Sequence, residues 1–141
     1  MAEIAVQPIM LKDMVIQIGS DDFAAAVSSA TITPTSSLTT WKGLKPESVH
    51  TFPAAPTYAL SLEYAQDWAA VTSLSRYLFD HDGETITGVV LEPTSGVGTR
   101  WTFNLVIIPG AVGGAVDTVA TATVELGITG KPVPSAIVVV E

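Results

Sequence analysis

The stretch YALSLEYAQDWAAVTSLSRYLFDHDGETITGVVLEP, from Tyr58 to Pro93, changes period twice. It opens in strict alternation, with Tyr58, Leu60, Leu62 and Tyr64 on one side and Ala59, Ser61 and Glu63 on the other, the pattern of a strand with one buried face. The apolar residues then fall at Val71, Leu74, Tyr77 and Leu78. That spacing predicts one helical stripe over about residues 69–80, capped by Thr72 or Asp67 and stopped at HDG. ETITGVVLE returns to a strand pattern. A helix this short does not hold in water alone, so it must rest on a sheet, and a single such helix does not make an α/β protein.

Working outward, the chain reads as one mainly β domain of 141 residues, in which Val, Ile and Thr supply 44 positions whose branching at Cβ favours strands. LKDMVIQIG and FAAAVSSATI read as a hairpin across the turn at Gly19. WTFNLVIIP places Trp101, Phe103, Leu105 and Ile107 on one face. AVDTVATATVEL sets Asp117, Thr121, Thr123 and Glu125 against Val116, Ala120, Ala122, Val124 and Leu126, after which GITGKPVPS breaks the pattern. Residues 33–57 hold four prolines and no sustained alternation, so they read as a long loop, with a short strand near 47–52. Trp41, Leu44, Val49 and Phe52 are costly to leave in water, and the loop is expected to pack on this subunit or the next.

Both ends read as assembly material. Residues 1–10, with Ile4, Val6 and Ile9, show no convincing period and form an N-terminal arm. Residues 131–141 form a C-terminal arm, with Val133, Ile137, Val138, Val139 and Val140 apolar on both faces of any strand they make.

Charge narrows the partners. Charged residues are 14% of the chain, against about a quarter in ordinary soluble domains, while the net charge is -8. An anionic, weakly polar surface suits contact with other subunits and repels phosphates, which argues against nucleic-acid binding but not against a protein beside which nucleic acid slides. Without cysteine there is no disulfide framework, thiolate metal cage or cysteine nucleophile. No signal-like start and no apolar run of spanning length is present, so no membrane insertion is expected.

No cofactor, metal or catalytic residue is expected. DHDGE lacks the donor alternation of a calcium loop, and His81 near a helix C-terminus is explained by the helix dipole. His50 and His81 accompany no recognisable nucleophile motif. PGAVGG lacks the lysine and hydroxyl of a phosphate loop and precedes a strand pattern. Trp41, Trp68 and Trp101 serve a core or interface more readily than a carbohydrate platform, although a carbohydrate-binding β-sandwich is a second reading.

Taken in order, TWKGL in the long loop, YALSLEYAQDW leading to SLSRYLFDHDGE, the VVLEPTSG turn and IIPGAVGGAVDTVATATVELGITGKP resemble the major tail proteins that build the tail tube of long-tailed, siphovirus-type bacteriophages, especially those of actinobacteria. The resemblance implies a small antiparallel β-sandwich or half-barrel with one flanking helix, a long loop and extended arms. It implies hexameric rings stacked into a tube in the virion, assembled in the host cytoplasm, with the chain itself as main partner beside tape measure, tail terminator and tail-tip proteins. Phage DNA would pass through the lumen without specific binding. Trp41, Gly43, Leu44, Val49 and Phe52 then lie on an inter-ring loop, and Glu63, Asp117 and Glu125 are candidates to face the lumen. A terminator or connector of such a particle is the neighbouring alternative.

Overall fold

The computed structural model describes residues 2–6, 13–93 and 99–136. Its strands are β1 (Met14–Ile18), β2 (Asp21–Asp22), β3 (Val27–Thr35), β4 (Leu38–Lys42), β5 (Val49–Pro53), β6 (Thr57–Ala65), β7 (Thr85–Pro93), β8 (Thr99–Val106) and β9 (Thr121–Ala136), with one helix, α1 (Leu74–Asp80). Seven strands form one antiparallel sheet in the order β2-β1-β7-β8-β9-β6-β3, curled into a half-barrel, and β4 and β5 form a separate hairpin.

The curl follows from β9. Its first half pairs with β6, from Thr121↔Ala65 to Ile128↔Tyr58, and its second half pairs with β8, from Gly127↔Val106 to Ala136↔Thr99. One strand thus serves two neighbours that are offset along it, so the sheet must shear and bend. Register shifts at Ile86/Val89 and at Thr102/Asn104 add to the bend. Gly88 and Gly130, at φ 71 and 81, supply the left-handed backbone beside these shifts.

The alternation in YALSLEYA holds as read: Leu60, Leu62 and Tyr64 are buried, and they meet Ala122, Val124 and Leu126 from β9 and Phe103 and Leu105 from β8 in one core. Each buried Leu contributes about 2 kcal/mol. The helix lies on this apolar face. Leu74 and Leu78 enter the core, and half-buried Tyr77 packs on Phe23 with ring centroids 5.4 Å apart. Burial, with Glu84 and Asp21 nearby, holds the Tyr77 hydroxyl above the ordinary tyrosine pKa.

Four expectations are corrected. The helix starts at Leu74 rather than near residue 69, because the Ser73 hydroxyl accepts from the Arg76 N–H and Asp67 instead holds the preceding turn through the Ala69 and Ala70 N–H groups. Val71 therefore lies outside the stripe, in a turn, 76% exposed. The segments around Met14 and Val27 do not form a hairpin: β1 returns only to the two-residue β2, and β3 crosses to pair with β6. Residues 131–136 are not an arm but the end of β9. Pro132 and Pro134 are tolerated there because β6 pairs no further than Ile128, leaving that side of the strand without a partner to be denied a donor.

Replacing Leu78 by Asp should cost more than about 4 kcal/mol, since a carboxylate would lie unpaired in the core. Replacing Val71 by Asp should change stability by less than about 0.5 kcal/mol. Urea unfolding of the two variants checks both, and equal losses would contradict the helix boundary.

Candidate assembly surfaces

The region 33–57 is a ribbon rather than a loop. β3 runs on to Thr35, the Ala54 N–H donates to the Ser37 carbonyl at 2.8 Å, and β4 and β5 continue the same antiparallel pair from Leu38↔Pro53 to Lys42↔Val49. The Pro-rich composition concealed this because Pro34 lies on the β3 edge, Pro53 at the end of β5, Pro56 just before β6 and Pro46 in the turn at the tip, places where no ladder donor is needed. At the tip the Gly43 N–H donates to the Ser48 carbonyl, also at 2.8 Å, and Leu44 is fully exposed.

Alternation gives the ribbon two faces. Thr39, Trp41, His50 and Phe52 share one, with the Trp41 and His50 rings stacked at 5.8 Å. Leu38, Thr40, Thr51 and Val49 share the other. Every residue of β4 and β5 is exposed, including Trp41 at 59% and Phe52 at 58%. A two-stranded hairpin is marginal in water by itself, and this one is held to the body through its continuation of the β3–β6 pair.

The second unsatisfied feature is β3 itself. Among the described residues its only ladder is to β6, so the backbone groups on its other side meet no described strand along a nine-residue edge that carries no charged residue.

The third is the polar face of β3, β6 and β9. Glu63 lies across from Thr123, and Glu125 from Ser61, so the two acids are diagonal neighbours on one exposed face, opposite the core. Thr31, Ser61, Thr121 and Thr123 fill it with hydroxyls, and β3, β6 and the β6-paired half of β9 contain no Lys or Arg. Asp117 does not belong to this face. It sits before β9 in a turn with φ 66, because the strand begins only at Thr121, and Val116 beside it is 87% exposed rather than facing the core.

Among the arm candidates, Ile4 and Val6 are 87% and 82% exposed, and Val133 is 61% exposed on β9. Ile9 and Ile137, Val138, Val139 and Val140 lie outside the described residues. No local pattern marks Gln66, whose side chain pins the glycine-rich connection before β9. Its Nε2 donates to the Gly113 and Thr121 carbonyls, and its Oε1 accepts from the Gly113 N–H and the Trp68 indole.

Little here resembles a reaction centre. His50 is on the ribbon, and His81 caps the helix and pairs with Glu84. Among the described residues no three His, Cys, Asp or Glu side chains converge as metal ligands, and no helix is long and apolar enough to cross a membrane.

The fold is similar to that of a chain in a gene transfer agent virion. That chain, from the virion of a native gene transfer agent particle, aligns over 88% of this chain and 96% of its own, with a TM-score of 0.60 and 15% identity. No family model and no curated protein matches the sequence. At this identity the virion chain shares the half-barrel architecture, and its near-complete coverage means that the likeness spans the fold rather than one hairpin.

Replacing Trp41 and Phe52 together by Ala should leave the melting temperature of the isolated protein within about 2 °C, since the ribbon supports nothing in its own chain. A calorimetric scan checks this, and a fall of ten degrees would mean that the ribbon packs on the body.

Proposed function

We propose that this chain is a structural, non-enzymatic subunit of a phage-like virion that self-assembles into stacked, hexameric rings forming the tail tube, the conduit through which DNA leaves the particle. The observation that carries the reading is a half-barrel with an open, uncharged edge and an outer face of hydroxyls and acids without a cation. The edge supplies a pairing site for a second copy, which ordinary monomers guard against. The face supplies a wall along which a polyphosphate finds nothing to hold it, since fixed cations would trap the polymer by many additive contacts. Glu63 and Glu125 would face the lumen in this reading.

Exposed Trp41 and Phe52 make the ribbon the contact between rings, with Leu44 at its tip. The fold likeness to a gene transfer agent virion chain supports a place in such a particle. Tape measure, terminator and tip proteins would be the partners at the tube's interior and ends, with assembly in the host cytoplasm. The virion neighbour is not tied by its description to one position in the particle, so a terminator or connector is the competing reading. Copy number separates them, because a tube protein fills many rings and a terminator one.

Electron microscopy across a concentration series should show rings and tubes from the intact chain and a loss of stacking from the Trp41→Ala, Phe52→Ala variant. Only dispersed monomers under every condition, with tail-initiation proteins added, would refute the tube. A second measurement addresses the lumen: tubes with Glu63→Lys and Glu125→Lys should retain linear DNA at about 50 mM salt and release it near about 200 mM, whereas unaltered tubes retain none. Equal retention by both would remove these acids from the channel.

A further inference from the structure

A trough runs between the two ends of the curled sheet. Two cavities of about 660 and 500 Å³ share Met14, Ala30, Thr31 and Leu91, so they form one continuous groove with β1 and β7 on one wall and β3 on the other. Its wider part is largely apolar, lined by Ile32, Tyr58 and Trp101, and its narrower part, with Asp13, Ser28 and Ser29, is as polar as it is apolar. Trp101 remains 38% exposed there, although the rest of its strand face is buried. Because no other described strand pairs with the β3 wall, what fits between the walls is another strand, with backbone bonding to β3 and alternate side chains filling the floor.

The chain carries one short segment suited to that place. Residues 2–6, AEIAV, have no secondary structure and are exposed throughout, with Ala2, Ile4 and Val6 alternating against Glu3 and Ala5. The segment is apolar on one side and is not covered by any of the described residues of its own subunit.

Charge orients it. The charged residues lining the trough are Asp13, Glu92 and Lys131. Glu92 is already bound by Arg100, at 2.7 Å, which leaves Lys131 beside Pro34 at the C-terminal end of β3, and Asp13 near Val27 at the other end. Glu3 is attracted to the first and repelled by the second. The incoming segment therefore runs antiparallel to β3.

We propose that residues 2–6 of one copy enter the trough of a second copy as an added strand, with Ile4 and Val6 covering Tyr58 and Trp101 and Glu3 meeting Lys131. This rests on the self-assembly reading and names one of its joints: donation of a strand, separate from the ribbon.

Trp101 is the reporter, in a background with Trp41→Phe and Trp68→Phe. A variant lacking residues 2–6 should fold, since that segment is exposed throughout, and should bind the synthetic peptide AEIAVQ with one-to-one stoichiometry and a blue shift of Trp101 emission. The peptide with Asp at both apolar positions, corresponding to Ile4→Asp and Val6→Asp, should bind at least tenfold more weakly. In the full chain, Glu3→Lys and Lys131→Glu should each weaken association at least tenfold by sedimentation, and the two together should restore most of it.

Equal binding of the two peptides, or no rescue by the paired charges, overturns the proposal. So does a monomeric full chain with Trp101 already shielded, which would place the segment in its own trough. Tubes that form undiminished without residues 2–6 sink this joint and leave the tube reading standing. A full chain that never assembles, while the peptide still binds with the expected specificity, sinks the tube reading and leaves the trough.

Discussion

The double pairing of β9 is the constraint from which the rest of this structure follows. Sixteen residues hold β6 with one half and β8 with the other. Had both neighbours paired along the same half, the sheet would be flatter and its ends far apart. The offset instead curls seven strands around one apolar core, brings β1 and β3 to face each other across a trough, and leaves them unjoined. Closure by β1–β3 pairing would have produced a self-sufficient barrel. Among the described residues no strand bridges the two ends.

That incompleteness organises the surfaces. The core face is closed by the sheet's curl and by Leu74 and Leu78 of the helix, so the isolated subunit has enough buried apolar surface to fold. The ribbon, the β3 edge, the trough and the N-terminal segment are exposed features outside that core. In the proposed assembly identical copies would cover them, each copy carrying both the donor and the acceptor. The face of β3, β6 and the β6-paired half of β9, which holds no Lys or Arg, lies opposite the core, so in the proposed tube association and passage of a polyanion would occupy different sides of one sheet.

The mainly β class, the helix and the buried face of β6 were legible because they rest on local period: YALSLEYA can bury only one side, and Leu74 and Leu78 can share only a helical face. The strand partners were not legible. Nothing local in LKDMVIQIG or FAAAVSSATI says that the second segment pairs with β6 rather than returning to the first, since small and β-branched residues fit either neighbour. Proline misled in two places for one reason: it breaks a ladder only on the side where a donor is required, and at Pro34, Pro132 and Pro134 that side is open. Asp117 and Val71 were placed by extending a period past its true boundary, where Ser73 capping and the turn before Thr121 end it. Of the candidate surfaces, the aromatics of the ribbon were read as part of a long hydrophobic loop, and Glu63, Asp117 and Glu125 as acids each on the polar face of its own strand; that Glu63 and Glu125 adjoin depends on the β6–β9 register, and the trough, a product of tertiary curl, had no signature in any single stretch.

The narrow neck of the ribbon has a mechanical consequence. It joins the body through two crossings of the backbone near Ser37 and Ala54, and its own strands do not pack on the larger sheet. If the proposed tube is gripped through such stalks, neighbours would tilt against one another while the gripped surfaces stay closed, so curvature of a long filament would be absorbed at the necks and its bending stiffness set there rather than by the strength of the contacts themselves.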